Sequence, residues 1–176
     1  MNSLDNPENR SAHGARRNTA RAFLAAAALA WAAVAAAAPL EPGAPLPAFA
    51  LQDQNERPWG VAPGTRRVIF AADRAGSELV QAALGAEGAQ RLAAARAVYV
   101  ADIHAMPSLV TRLFALPALR ALPYPVGLVR DDQTAADLPR RAGQATVLEL
   151  DAQGSVAAVH YAADAAALLA LLPAAD

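Results

Sequence analysis

Residues 67–101 read RVIFAADRAGSELVQAALGAEGAQRLAAARAVYVA, and their pattern sets the architecture of the chain. Apart from Arg67, the first five and the last five residues are apolar, and they contain Val and Ile as buried strands do. Residues 76–95 between them are rich in alanine and carry apolar side chains at helical spacing. We predict a helix there that Gly85 and Gly88 divide into two pieces. A strand, a helix and a second strand in this order place the two strands parallel in one sheet.

The alternation of strands and helices continues on both sides of this unit. Downstream we predict a helix over 106–122 that is kinked at Pro117, a strand over 125–129 and a polar segment over 131–141. Two strands, over 145–150 and 156–161, and a closing helix over 163–172 follow. Upstream, the apolar positions 49–51 and 59–61 flank a polar turn, which predicts a β-hairpin. The fold class is therefore α/β, with a mixed central sheet flanked by helices and an N-terminal β-hairpin.

The helix predicted over 106–122 carries an apolar stripe with a period of about 3.6 residues. Its members are Met106, Leu109, Val110, Leu113 and Phe114. We expect Phe114 to lie in the core, together with the aromatic side chains of Trp59, Phe70 and Tyr99.

Composition excludes several classes of protein. The chain has 176 residues, 55% of them hydrophobic and 18% charged, which suits one ordinary domain and not a disordered chain. The net charge is −1, so no basic surface for nucleic acid is expected. The sequence contains no cysteine, which excludes disulfides, thiolate metal ligands and thiol catalysis by this chain.

The N-terminal region has the pattern of an export signal. Residues 22–38 read AFLAAAALAWAAVAAAA, without charge, and arginines precede them. We predict a signal peptide over 1–37, a proline-rich linker over 38–47 and one domain over 48–176. The expected location is the periplasm. The alternative is that the apolar segment is retained as an inner-membrane anchor facing the periplasm.

Two stretches of the sequence resemble a known fold family. LPAFAL at 46–51, followed by DQN at 53–55, looks like the opening of peroxiredoxins and related thioredoxin-like proteins. The segment from Pro125 to Gly154, with its Asp-Ala-Gln-Gly turn, looks like their closing half. The resemblance covers most of 46–172 and implies a thioredoxin-like fold.

The sequence departs from that family at the redox site. The family keeps its reactive cysteines just after the first core strand, where this chain has AADRAG at 71–76. The family also places a cis proline against those cysteines, and the matching residue here is Ala145, for which we expect a trans bond because a non-proline cis bond costs about 3 kcal/mol. The resemblance therefore implies a fold without thiol–disulfide exchange or peroxide reduction.

The chain is most similar in its details to small periplasmic thioredoxin-fold proteins of the YtfJ type. That group shares the export signal, an acidic residue that ends the second core strand, a Tyr-Pro pair before the third strand, and alanine in place of the proline. Proteins of this appearance sometimes carry a flavin-dehydrogenase label. The chain has no Gly-x-Gly-x-x-Gly motif, and we predict no cofactor.

The resemblance and the strand order place the candidate ligand site at one edge of the sheet. Its expected members are Asp73, Arg74, Asp102, His104, Ala145 and Thr146. Asp73 either caps the next helix or binds a ligand, with Ser77 as an alternative cap. Asp102 and His104 either hold a loop or supply two metal ligands. Arginines at 112, 120, 130, 140 and 141 form either a solvated face or an anion-binding patch.

The sequence favours a redox-inactive binding or accessory role, with a periplasmic protein or a small ligand as partner. One alternative is a non-thiol enzyme that uses a metal or flavin. The other is a membrane-anchored scaffold, if residues 22–38 are retained. Nucleic acid is not an expected partner.

Overall fold

The apolar run at 67–71 lies at the centre of a seven-stranded sheet, with four of its five side chains buried. The structure, a computed structural model, describes residues 40–173. Its strands are β1 (Leu51–Gln52), β2 (Pro58–Trp59), β3 (Arg67–Ala71), β4 (Ala97–Asp102), β5 (Val126–Val129), β6 (Ala145–Leu150) and β7 (Val156–Ala162). The predicted signal peptide lies outside the described residues.

The helices follow the predicted order, and their bounds are shorter than predicted except that the first begins two residues earlier, at Arg74. They are α1 (Arg74–Leu84), α2 (Gly88–Ala94), α3 (Ser108–Val110), α4 (Leu116–Arg120) and α5 (Ala165–Ala170). A 3₁₀ turn at Gly85–Glu87 joins α1 to α2, where the two glycines predict a break. Among the helices of residues 40–173, none has the length and apolar character needed to cross a membrane.

The sheet is open and mixed, as predicted. Its strand order is β2-β1-β5-β4-β3-β6-β7. Strands β3, β4 and β5 are parallel, and β6 joins β3 antiparallel, so the carboxyl end of β3 meets the amino end of β6. The hairpin β1–β2 pairs antiparallel with β5, and β7 forms the other edge.

Alternating side chains of the central strands build a core on each face of the sheet. On one face Ile69 and Tyr99 lie under apolar side chains of α1, α4 and α5. On the other face Phe70 and Val100 pack with Leu138 and with the segment before β1. That segment includes part of the predicted linker. The linker contacts the domain: the amide of Leu40 donates a hydrogen bond to the carbonyl of Asp137 at 2.9 Å.

The helix predicted over 106–122 differs most from expectation. It starts as the short α3, widens into a π-helical turn at Thr111–Ala115 and continues as α4. Phe114 is 68% exposed, so its prediction as a core residue is wrong. The reason is that α4 contacts the sheet face through Leu116 and Leu119, whereas the stripe one turn earlier has no element over it.

Candidate functional site

The predicted site residues lie at the edge of the sheet where β3 and β4 end and β6 begins. Ala71 pairs with Ala101 on one side and with Ala145 on the other, so three alanines form the floor of this edge. Ala145 and Thr146 are buried. No peptide bond in residues 40–173 is cis, in agreement with the trans bond expected at Ala145.

Asp73 fastens the start of α1 to the turn before β6. Its Oδ1 accepts a hydrogen bond from the amide of Gly76 at 2.8 Å, the helix cap that the sequence predicts. Its Oδ2 accepts from the amide of Gly143 at 2.7 Å, where a φ of +71° makes glycine the favoured residue. Both carboxylate oxygens of Asp73 are therefore engaged by the backbone.

Asp102 is also engaged on both oxygens, and its side chain is only 2% exposed. Its Oδ1 lies 2.6 Å from Nδ1 of His104 and 3.1 Å from the amide of that residue. Its Oδ2 faces the guanidinium of Arg140 at 3.4 Å. The guanidinium also lies 5.5 Å above the ring of Phe70. Asp102 is thus a buried carboxylate between two basic side chains.

Both acids hold the loop 139–144, which precedes β6. Asp102 contacts it through Arg140, and Asp73 contacts it through Gly143. Thr146 adds a third fastening, because its hydroxyl donates to the carbonyl of Pro139 at 2.8 Å. The structure therefore brings Asp73, Asp102 and Thr146 to one loop as structural supports.

Arg74 and His104 lie at the exposed margin of this edge. Arg74 forms an exposed ion pair with Glu78, with Nε and Oε1 2.7 Å apart, and the pKa of Arg74 is raised by that hydrogen bond and charge. His104 lies near Asp131, whose pKa is lowered first by hydrogen bonds from Thr134 and to a lesser degree by His104. Within residues 40–173, no three His, Cys, Asp or Glu side chains are grouped to hold a metal ion.

A groove of about 430 Å³ adjoins the same edge, between α1 and the segment that runs from α3 to α4. Most of its wall is apolar, from side chains such as Met106, Val110, Phe114 and Leu119. The polar part of the lining comes mainly from α1, through Arg74, Ser77, Glu78 and Gln81, with Asp102 at the end of β4. A second depression, of about 590 Å³, lies at the opposite end of the sheet, away from the predicted residues.

Ser77, expected as an alternative cap, instead forms a hydrogen bond with Tyr99 of the core. Its hydroxyl lies 2.8 Å from that of Tyr99, whose pKa is raised mainly by burial. The sequence gives no local sign of this contact, since the two residues belong to different elements.

Three of the five arginines expected as a solvated face or an anion-binding patch have partners within the described part of the chain. Arg140 binds Asp102, Arg141 lies 3.8 Å above the ring of Tyr161, and Arg120 donates to the carbonyl of Gln54 at 2.9 Å. Gln54 itself is a residue that sequence reasoning missed. Its buried amide bonds the carbonyl of Tyr124 and the amide of Val126, each at 2.8 Å, which fastens the hairpin to β5.

Comparison with family models and with curated proteins finds no match. Among solved structures the chain is similar to peroxidoxin BcpB from Mycobacterium tuberculosis, at 23% identity and a TM-score of 0.50, over 75% of this chain and 94% of that one. It is also similar to a protein from Chlorobium tepidum described as a thiol:disulfide interchange protein DsbE, at 18% identity and a TM-score of 0.54, over 75% and 95% of the two chains. A third, from Bacteroides thetaiotaomicron and described as a protein disulfide isomerase, has 13% identity and a TM-score of 0.52. Together with the strand order, these similarities show that this cysteine-free chain has a thioredoxin-like fold.

Proposed function

We propose that this chain is an exported, redox-inactive thioredoxin-like protein of the YtfJ type with a binding or accessory role in the periplasm. The proposal rests on the residues that directly follow β3, where the thioredoxin-like family keeps its reactive cysteines. The chain has no thiol to place there, and both oxygens of the Asp73 carboxylate accept hydrogen bonds from backbone amides. An apolar groove lies beside these residues and is open for binding.

The geometry favours binding over acid–base catalysis. A general acid or base must reach the reacting atoms of a substrate. Asp102 is buried under its contacts with His104 and Arg140, so its oxygens face protein groups. The accessible surface beside it consists mainly of carbon atoms, which suits an apolar partner.

Fractionation of cells that produce the full chain, followed by a native mass spectrum of the purified protein, tests the proposal. We expect the chain in the periplasmic fraction, cut near residue 37, with no bound flavin or metal, and without activity in insulin-reduction and peroxide-consumption assays. An uncut chain in the cytoplasm would contradict export. A stoichiometric flavin or metal would contradict the binding role and support an enzyme.

A further inference from the structure

Within residues 40–173, the exposed large hydrophobic side chains are all in one six-residue segment. They are Leu109 at 67%, Val110 at 42%, Leu113 at 59% and Phe114 at 68% exposure, and we name these four the apolar ridge. Residues four apart lie on the same side of a helix, so 109 with 113 and 110 with 114 form one surface. Clustered exposure of this kind marks a contact with a protein or a membrane.

The backbone of the ridge is irregular. Thr111–Ala115 is a π-helical turn, and such turns are frequent at functional sites. Thr111 is buried, and its hydroxyl donates to the carbonyl of Pro107 at 3.2 Å, four residues earlier in the same segment. The four exposed side chains belong to neither core cluster of residues 40–173.

The ridge contains an arginine, and no acidic residue is close to it in sequence. Residues 103–130 contain no Asp or Glu, but they contain Arg112, Arg120 and Arg130, although the whole chain has a net charge of −1. Arg112, in the middle of the ridge, has no acidic partner within 4.0 Å in the described part of the chain. Arg120 lies 3.9 Å from Glu56, and Glu78 across the groove is paired with Arg74. An occupant of this surface should be apolar and anionic.

We propose that the apolar ridge inserts into the surface of an anionic phospholipid membrane. Amphipathic segments with Leu and Phe on one face and Arg beside them bind such surfaces through buried apolar area and attraction to acidic headgroups. This contact is separate from residues 22–38 and does not require export.

Other occupants fit the ridge less well. In a symmetric dimer the same patch meets itself, which would bring Arg112 of each copy together without an acidic residue of 103–130 between them. A small ligand in the groove would cover Val110 and Phe114, which line it, but would leave Leu109 and Leu113 in water. A lipid surface can take up all four, because side chains insert into the boundary between headgroups and acyl chains.

Site-specific fluorescence on the full chain tests the proposal, because the absence of native cysteine makes one introduced thiol the only labelling site. We would label Leu113→Cys with an environment-sensitive dye and add vesicles of phosphatidylcholine and phosphatidylglycerol in equal parts. The matched control is the same label on Gln153→Cys, an exposed position in the turn between β6 and β7. The local signal separates the ridge from any binding through residues 22–38.

We expect a blue shift for the label at position 113, none at 153, and little shift with pure phosphatidylcholine. The change Arg112→Gln should weaken binding seen by this label about fivefold, and Phe114→Ser about tenfold, whereas Arg57→Gln on the hairpin should leave it unchanged. No shift at 113, an equal shift with neutral vesicles, or a shift that depends on protein concentration without vesicles would each overturn the proposal. The last result would assign the ridge to a second copy of the chain.

Discussion

A comparison of Asp73 with Asp164 can measure how much a single carboxylate contributes to the free energy of unfolding. Each is the N-cap of a helix and accepts a hydrogen bond from the amide three residues later, at 2.8 Å for Asp73 and 2.7 Å for Asp164. Only Asp73 also accepts from Gly143, across 70 residues of sequence. The comparison therefore separates the capping contribution from the long-range one.

We expect Asp164→Ala to lower the free energy of unfolding by about 1 kcal/mol, the usual contribution of an N-cap. Asp73→Ala should lower it by about 2 kcal/mol, because the amide of Gly143 also loses its partner. Urea unfolding of both variants gives the two values. Equal losses would mean that the bond to Gly143 contributes nothing to stability.

Removal of the hydroxyl from two buried tyrosines should change the free energy of unfolding in opposite directions. The hydroxyl of Tyr124 is buried and has no hydrogen-bond partner in residues 40–173, so Tyr124→Phe should raise the free energy of unfolding by about 1 kcal/mol. The hydroxyl of Tyr99 lies 2.8 Å from that of Ser77, so Tyr99→Phe should lower it by a similar amount, about 1 kcal/mol. Thermal or urea unfolding distinguishes them, and a loss in Tyr124→Phe would show that its hydroxyl is satisfied.

At the scale of elements, the hairpin β1–β2 is positioned by the packing of the Trp59 ring against Gly127. A side chain at Gly127 in β5 would approach the ring of Trp59 to 2.6 Å, closer than real contacts allow. Gln54 provides the second fastening, from the end of β1 to Tyr124 and Val126. The hairpin is thus held by shape at one point and by buried hydrogen bonds at another.

We expect Gly127→Ala to displace Trp59 and to lower the free energy of unfolding by about 2 kcal/mol, as overpacking usually does. A double-mutant cycle with Trp59→Ala is the control. The loss in the double variant should be smaller than the sum of the single losses, because the smaller side chain removes the clash. Additive losses would show that the ring and the glycine are independent.

The elements show where sequence reasoning succeeds and where it stops. The bounds of β3 and β4 follow from apolar, β-branched runs, since a strand buried on both faces needs no alternation. The prediction that Phe114 lies in the core is wrong because a 3.6-residue period shows that a helix has an apolar face, but not that another element covers it. The cap at Asp73 is local and was predictable, whereas its bond to Gly143 depends on the tertiary fold.

At the scale of the whole molecule, the buried tyrosines should make stability fall at alkaline pH. Burial raises the pKa of Tyr124 to about 12 and raises that of Tyr99 as well, whereas tyrosines in an unfolded chain titrate near 10. Between these values the folded chain binds more protons than the unfolded chain, so the free energy of unfolding decreases as pH rises.

Urea unfolding at pH 8, 10 and 11 tests this expectation, with full stability up to about pH 10 and a decline above it. Tyr124→Phe should decline less steeply than the parent chain, because one of the two titrating groups is gone. A free energy of unfolding that is flat or rises above pH 10 would contradict the burial of these hydroxyls.

The position of β6 has a consequence for the order in which the chain is made. Strand β3 is complete at Ala71, but its partner on one side, β6, begins only at Ala145. When residues up to 144 have been synthesised, β3 therefore still lacks its partner on one edge, and pairings this distant in sequence form slowly. The sheet remains incomplete until β6 has been made. For a protein that we propose is exported, this delay gives the secretion machinery time to engage the chain before it folds.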